Sequence, residues 1–523
     1  MMYINGLNGD FVFDDQFLIV ETMGELTPHS IWLGGLWQEA SDQANFYRPL
    51  FSMTIWFDQH LFGLNSLGYH LHSLMWHMLN IWLFSSFASH ILSKRQSIVA
   101  TLVFGCHPLM SELVYWIAAR NDTMAMTFTL LFLNFFWKEK KSVKENQLSR
   151  RTMVILSVIF IAGLLSKESV LIVFVPVGWY SFKNRNIELF GIMLLIVGIL
   201  FAWRTHIGIV TPKADLDNIR LVFEKLTPIG IDGLGRLFFP WRLSPATPLT
   251  WLVISWWQGV LALSAVVLLS FSFRQKESRI WFVWLVGSVA LTLPAILYTG
   301  NYGDRYWAMG LIAWSLIYAR VIPSRYCWLP FPFWVFMIFF RGTAWQSDLD
   351  FWEQEVRLNP TPYSHVSLAI IQYNKEDLKG SMDNFYTGFK AEPPHLDGCV
   401  PFVSSVLSVQ GGKSALDASD WAVSRGCTKS GEMMGLRAVI LAGMNRWDEV
   451  AKILEDDWVD TSRRIEVVRL ALLARNEEWG IFCADLESWS DLGRLFTQLS
   501  ILSPATFENT VEIQNKCSTL LKK

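Results

Sequence analysis

The chain has 523 residues, of which 52% are hydrophobic, 15% aromatic and only 17% charged, with a net charge of −2. Soluble domains carry about 25% charged residues, so this composition argues against an ordinary soluble fold and for a polytopic membrane protein whose Trp and Tyr side chains anchor it at the interfaces. The near-neutral balance gives no support to nucleic-acid binding, and the six cysteines form no CxxC pair and no zinc spacing.

Residues 1–69 contain no span but carry two polar motifs. Asp14 and Asp15 lie in FVFDDQFLI, between aromatic and aliphatic neighbours. There a carboxylate is disfavoured by desolvation or needs a cationic partner, and either effect tunes a general base. The plain alternative is an exposed turn or helix cap. Arg48, in NFYRPLFSMTIWF, precedes a proline suited to a helix start. Its guanidinium suits a phosphate, or an ion pair between loops.

A membrane helix needs roughly 20 apolar residues. Ten stretches approach that length: 70–92, 97–113, 121–137, 152–166, 168–182, 187–203, 251–273, 280–299, 307–320 and 326–340. The end of the second, the link after it and the start of the third carry His107, Glu112, Arg120 and Asp122. Lys167 and Glu168 interrupt a very apolar region. A charge near a bilayer centre costs about 3 kcal/mol, so this pair is mutually neutralised or lines a polar cavity, and the cavity is favoured. Asp304, Arg305 and Tyr306 open another span.

Alternate links are basic: Lys94-Arg95, Lys138 to Arg151, Lys183 with Arg185, Arg274 with Lys276 and Arg279, and Arg320 with Arg325. The positive-inside rule makes these cytoplasmic and places the polar motifs, the long segments 1–69 and 204–250 and the region beyond 340 outside. An external 1–69 segment without a signal peptide implies one more helix upstream of Met1, or translocation driven by the helix at 70–92.

Past residue 340 the chain is more charged and reads as amphipathic helices. Pro360 and Pro394 are 34 residues apart, the period of tetratricopeptide helix pairs. Gly443-Met444-Asn445-Arg446 reads as the turn inside another pair. Three to five degenerate pairs stacked as an α-solenoid are expected across 341–523, with an unrelated helical domain as the alternative. Cys399, Cys427, Cys483 and Cys517 lie in this part, where export permits one disulfide. The expected fold is therefore all-α: a loop at 1–69, a membrane bundle at 70–340 and a helical repeat domain at 341–523.

In this order, FVFDDQFLI, the NFYRPLF to HSLMWHMLN segment, HPLMSELVYWIAARND, LLSKES, DRYW and RGTAWQSDLDFWEQEVRLNP resemble the transmembrane-and-tetratricopeptide-repeat protein O-mannosyltransferases and their bacterial relatives, of the GT-C class. The chain departs from the family pattern at Ser73, where Asn is usual, and after the Arg305-Tyr306 pair, where Tyr and Pro are missing. The resemblance implies inverting transfer of a sugar, mannose by the family's name, from a polyprenyl phosphate to a hydroxyl, Ser or Thr of a protein, on the extracytoplasmic face. It implies Asp14 as the base or acceptor-orienting group, with Asp15 as runner-up. Arg48, Arg120, Lys167 and Arg305 are the donor-phosphate cations, with His107, Glu112, Asp122, Glu168, Asp304 and Tyr306 lining the site. No metal site is proposed, although a divalent cation is left open. The repeats are expected to bind the acceptor, and the location is the plasma membrane if the protein is bacterial. Two alternatives stand beside this reading: a transferase acting on a lipid or glycan, and a non-catalytic membrane scaffold whose repeats bind partners.

Overall fold

Each of the ten apolar stretches contains helix in the computed structural model, with breaks at 107–109 and 252–255 and a turn at 326–330. The structure describes residues 2–34, 46–142, 148–209, 216–274, 278–323, 325–455 and 463–476, with isolated positions beyond. Part of the basic link after Lys138, including Lys144, lies outside the described residues, as does Lys276. Regular structure among the described residues is helical apart from one antiparallel ladder pairing Thr247 with Tyr302 and Pro248 with Asn301. Helix starts follow local chemistry. Ser93 and Thr361 open their helices through capping boxes, and Pro49 occupies the first position of Pro49–Phe62, where its missing N–H costs nothing.

The chain divides into two compact units, Met1–Asn359 and Pro360–Lys523. This break falls later than the change in composition at 341. The Asp348–Leu358 helix is charged, yet it buries Phe351 and Trp352, and Phe351 packs on Trp345 with ring centroids 4.9 Å apart. Its apolar face therefore belongs to the first unit.

In that unit, Ser66–Ile91 packs against Lys94–Cys106 and Arg120–Ser142, and the latter against Arg150–Leu164. One long helix was not expected. Leu216–Phe238 crosses the segment 204–250, which reads as an external loop, and it packs on Trp256–Phe273. Its amphipathic pattern and internal Pro228 keep it from forming a continuous apolar run. Among the described residues, two helices, Glu188–His206 and Arg279–Thr299, are long and apolar enough to cross a membrane. Glu188–His206 exposes Leu194, Leu195, Ile199 and Phe201.

The second unit runs through Pro362–Asn374, Leu378–Lys390, Cys399–Gln410, Gly412–Arg425, Gly431–Gly443, Trp447–Leu454 and Arg463–Arg475. Each of these helices packs against the next in sequence. Asn445, in the turn between Gly431–Gly443 and Trp447–Leu454, adopts a left-handed conformation with φ 59°, which Asn tolerates better than most residues. Two disulfides form here, Cys399–Cys427 and Cys483–Cys517, one more than the single bond that export of this part was expected to permit.

Candidate functional site

The site is assembled from segments far apart in sequence. Asp14 follows Phe13, whose φ of 61° is left-handed, an unfavourable conformation for a bulky residue. A hydrogen bond and ring contacts, one of them with Trp352 at 5.8 Å, hold Phe13 there. Its N–H donates to Asp348 Oδ1 at 2.8 Å, and its ring lies 5.3 Å from Trp116 and 5.8 Å from Phe351. Asp15 is fully buried and accepts the backbone N–H groups of Ile117 at 3.0 Å and Ala118 at 2.6 Å. It clips the Asp14 segment to the turn that leads into Arg120–Ser142.

On the opposite wall the ladder positions Arg305. Gly303 comes so close to the 243–249 segment that a Cβ would sit 2.1 Å from the Pro245 carbonyl oxygen, so glycine is required there. Arg305 then donates to that same carbonyl at 3.3 Å and to Glu112 Oε1 at 3.4 Å. Its guanidinium lies 4.4 Å above the Trp116 ring centroid and 5.1 Å from that of Tyr306. Arg48 immediately precedes Pro49–Phe62, pairs with Glu168 at 3.3 Å and lies 4.4 Å over Phe46. Lys167 Nζ is 2.5 Å from Asp122 Oδ2.

Between these walls lies a cavity of about 280 Å³. Of the residues singled out by sequence, Asp14, Arg48, Asp122, Lys167, Arg305 and Tyr306 line it. Glu112 and Glu168 stand behind it as partners of Arg305 and Arg48. Glu168 also bridges to Arg204 at 3.2 Å. Burial pushes the Asp14 carboxyl up to about 6, against the lowering influence of the Arg305 charge. A group so poised exchanges a proton near neutral pH.

Arg120, Asp15, His107 and Asp304 do not join the cavity lining. Arg120 is completely buried and donates to Asp58 Oδ2 at 2.5 Å, Ser73 Oγ at 3.1 Å and the Tyr69 carbonyl at 2.9 Å. His107 Nε2 bonds the Leu237 carbonyl at 3.1 Å, and Asp304 pairs with Arg236. Ser73, the departure from the family pattern, is thus an Arg120 partner. Sequence reasoning overlooked Asp58, Arg204, Asn121 and Asp348. Asp58 carried a signal, an acid inside the apolar run TIWFDQHLF. Among the described residues no three His, Cys, Asp or Glu side chains gather in a metal-binding group.

Protein O-mannosyl-transferase TMTC4 of Homo sapiens is 27% identical over 274 residues, covering 47% of this chain and 35% of that protein. The chain is similar to the protein O-mannosyl-transferases. Protein O-mannosyl-transferase TMTC2 of Homo sapiens is 32% identical over 140 residues, 25% of this chain and 17% of that protein. Tmtc1 of Drosophila melanogaster is 25% identical over 181 residues, 32% of this chain and 20% of its own. The matched segments thus span about a third or less of the length of these curated O-mannosyl-transferases. No family model and no solved structure matches the chain.

Proposed function

We propose that this chain is a multi-pass membrane glycosyltransferase that moves mannose from a polyprenyl phosphate to a protein hydroxyl on the extracytoplasmic face. The observation that carries the reading is the single cavity lined by Asp14 together with Arg48, Lys167 and Arg305. A base and a cluster of cations are what displacement of a phosphate by a hydroxyl requires.

The acceptor oxygen attacks the anomeric carbon while its proton passes to Asp14. The bond from that carbon to the phosphate oxygen breaks, its electron pair leaves with the phosphate, and the cations stabilise the charge that develops. A single displacement of this kind inverts the anomeric centre. Arg305 is the strongest candidate for the leaving phosphate, because Trp116, Tyr306, Glu112 and Pro245 hold it from several sides.

The prenyl chain has a place as well. An apolar cavity of about 680 Å³ is lined by Leu226, Ile229, Phe273, Val289, Leu293 and Trp307, among others. Leu293 and Trp307 are close in sequence to Ala295 and Tyr306 of the polar cavity, so head and tail of one lipid have adjoining environments. The ten apolar helices form the bundle in the membrane. The Pro360–Lys523 unit is a degenerate tetratricopeptide-like solenoid that binds the polypeptide acceptor, and its two disulfides support an oxidising, external compartment.

The deciding experiment follows consumption of radiolabelled polyprenyl-phosphate mannose by purified protein. Asp14→Asn is expected to lower turnover by about 10²- to 10⁴-fold, the contribution of a general base. A fully active Asp14→Asn protein would overturn the mechanism.

A further inference from the structure

Asn121 lies on the wall of the polar cavity beside Asp14, Asp122, Lys167 and Arg305. It is 7% exposed. Its Nδ2 donates to the Ala118 carbonyl at 2.7 Å. That carbonyl is itself fixed, because the Ala119 N–H in the same peptide plane donates to the Trp116 carbonyl at 3.1 Å. The bond sets the amide orientation, since an amide oxygen in that position would face another acceptor. The Asn121 Oδ1 is left buried without a hydrogen-bond partner among the described residues. A buried acceptor in that state costs free energy unless something arrives to donate to it.

We propose that Asn121 is a specificity-determining residue whose amide oxygen accepts a hydrogen bond from a hydroxyl of the transferred sugar. The inference rests on the transferase reading above and deepens it. An ionised phosphate diester carries no proton to donate and repels an acceptor. Neither Lys167 nor Arg305 donates to the Asn121 oxygen, and their remaining N–H groups serve the phosphate in this reading. The acceptor hydroxyl has a single proton, which passes to Asp14. The sugar is the component with several free O–H groups. A neutral amide also meets them without placing another negative charge beside the departing phosphate, as a carboxylate would.

Two lipids separate this contact from the reading that contains it. Polyprenyl-phosphate mannose and sugar-free polyprenyl phosphate are bound to purified full-length chain in detergent, as wild type and as Asn121→Leu. Loss of one hydrogen bond is expected to weaken the mannose lipid by about fivefold to tenfold, with the sugar-free lipid unchanged. Equal weakening of both lipids, or none for the mannose lipid, overturns the contact. A wild-type chain that binds neither removes the transferase reading and the contact with it. Donors lacking one mannose hydroxyl each supply a readout that leaves the fold untouched. One of them is expected to bind wild type as weakly as the mannose lipid binds Asn121→Leu, and Asn121→Leu is not expected to discriminate against it. If wild type binds every deoxy donor as well as the parent, no hydroxyl is being read.

Discussion

Burial and a neighbouring guanidinium pull the Asp14 carboxyl in opposite directions, and burial wins, leaving it at about 6. Below that pH the side chain already holds the proton that it has to accept. Transfer is therefore expected to fall as pH drops through about 6 and to level off above it, the direction set by a base that works only when deprotonated. The measurement is kcat/KM against pH, and a profile flat across about pH 5 to 7 rejects Asp14 as the base. At this scale much of the cavity was legible in the sequence. Arg48, Lys167 and Arg305 each interrupt apolar surroundings, where an ionisable group needs a reason to be present. Arg120 satisfied the same criterion for a different reason. Its partner Asp58 is 62 residues away, and sequence spacing says nothing about which charge closes on which.

The Asp58–Arg120 pair acts between elements. Asp58 is on Pro49–Phe62, the helix that begins at Arg48, and Arg120 opens the helix that carries Asn121 and Asp122. His72 and Ser73, on Ser66–Ile91, complete the junction, with His72 Nδ1 2.6 Å from Asp58. Three helices are thereby fixed around one buried charge pair, and two of them supply walls of the cavity. Asp58→Leu strands the Arg120 charge in the interior and is expected to cost about 3–5 kcal/mol. Adding Arg120→Met is expected to restore most of that loss, because an apolar pair of similar size needs no compensation. Unfolding in detergent checks both variants, and a single variant as stable as the parent would show that the pair is not a structural junction. The Leu216–Phe238 helix was illegible at this scale for a related reason. Search for continuous apolar runs misses a helix with one polar face, and Pro228 reads as a breaker unless the packing that accommodates it is known.

For the molecule as a whole, the two units differ in what holds them together. Packing and buried ion pairs maintain the first, while the second adds two covalent links to its apolar core. Closing the 28-residue separation between Cys399 and Cys427 contributes about 3–4 kcal/mol in the chain-entropy description. Cys399→Ser with Cys427→Ser is accordingly expected to lower the unfolding temperature of Pro360–Lys523 and leave Met1–Asn359 unaffected, as followed by differential proteolysis. Peptide mapping without reductant should recover both cross-links, and recovery of all four thiols free would remove the case for an oxidising compartment. Composition marked where the charged region begins but not where the fold divides, because the Phe351 and Trp352 side chains override the polar character of their own helix.

The hydrogen bond from the Phe13 N–H to Asp348 has a consequence for biogenesis. The carboxylate that pins the segment bearing Asp14 emerges from the ribosome more than three hundred residues after that segment. Asp10 is stitched to Gln346 in the same way, through a 2.9 Å backbone bond. A ribosome-bound fragment that stops short of these residues has every cavity-lining side chain and the Asp15 bonds to Ile117 and Ala118, but lacks the bond that fixes the left-handed Phe13 backbone. On the transferase reading proposed above, a chain truncated before Gln346 is therefore expected to transfer less sugar than one carrying the complete first unit, which a comparison of the two purified forms measures.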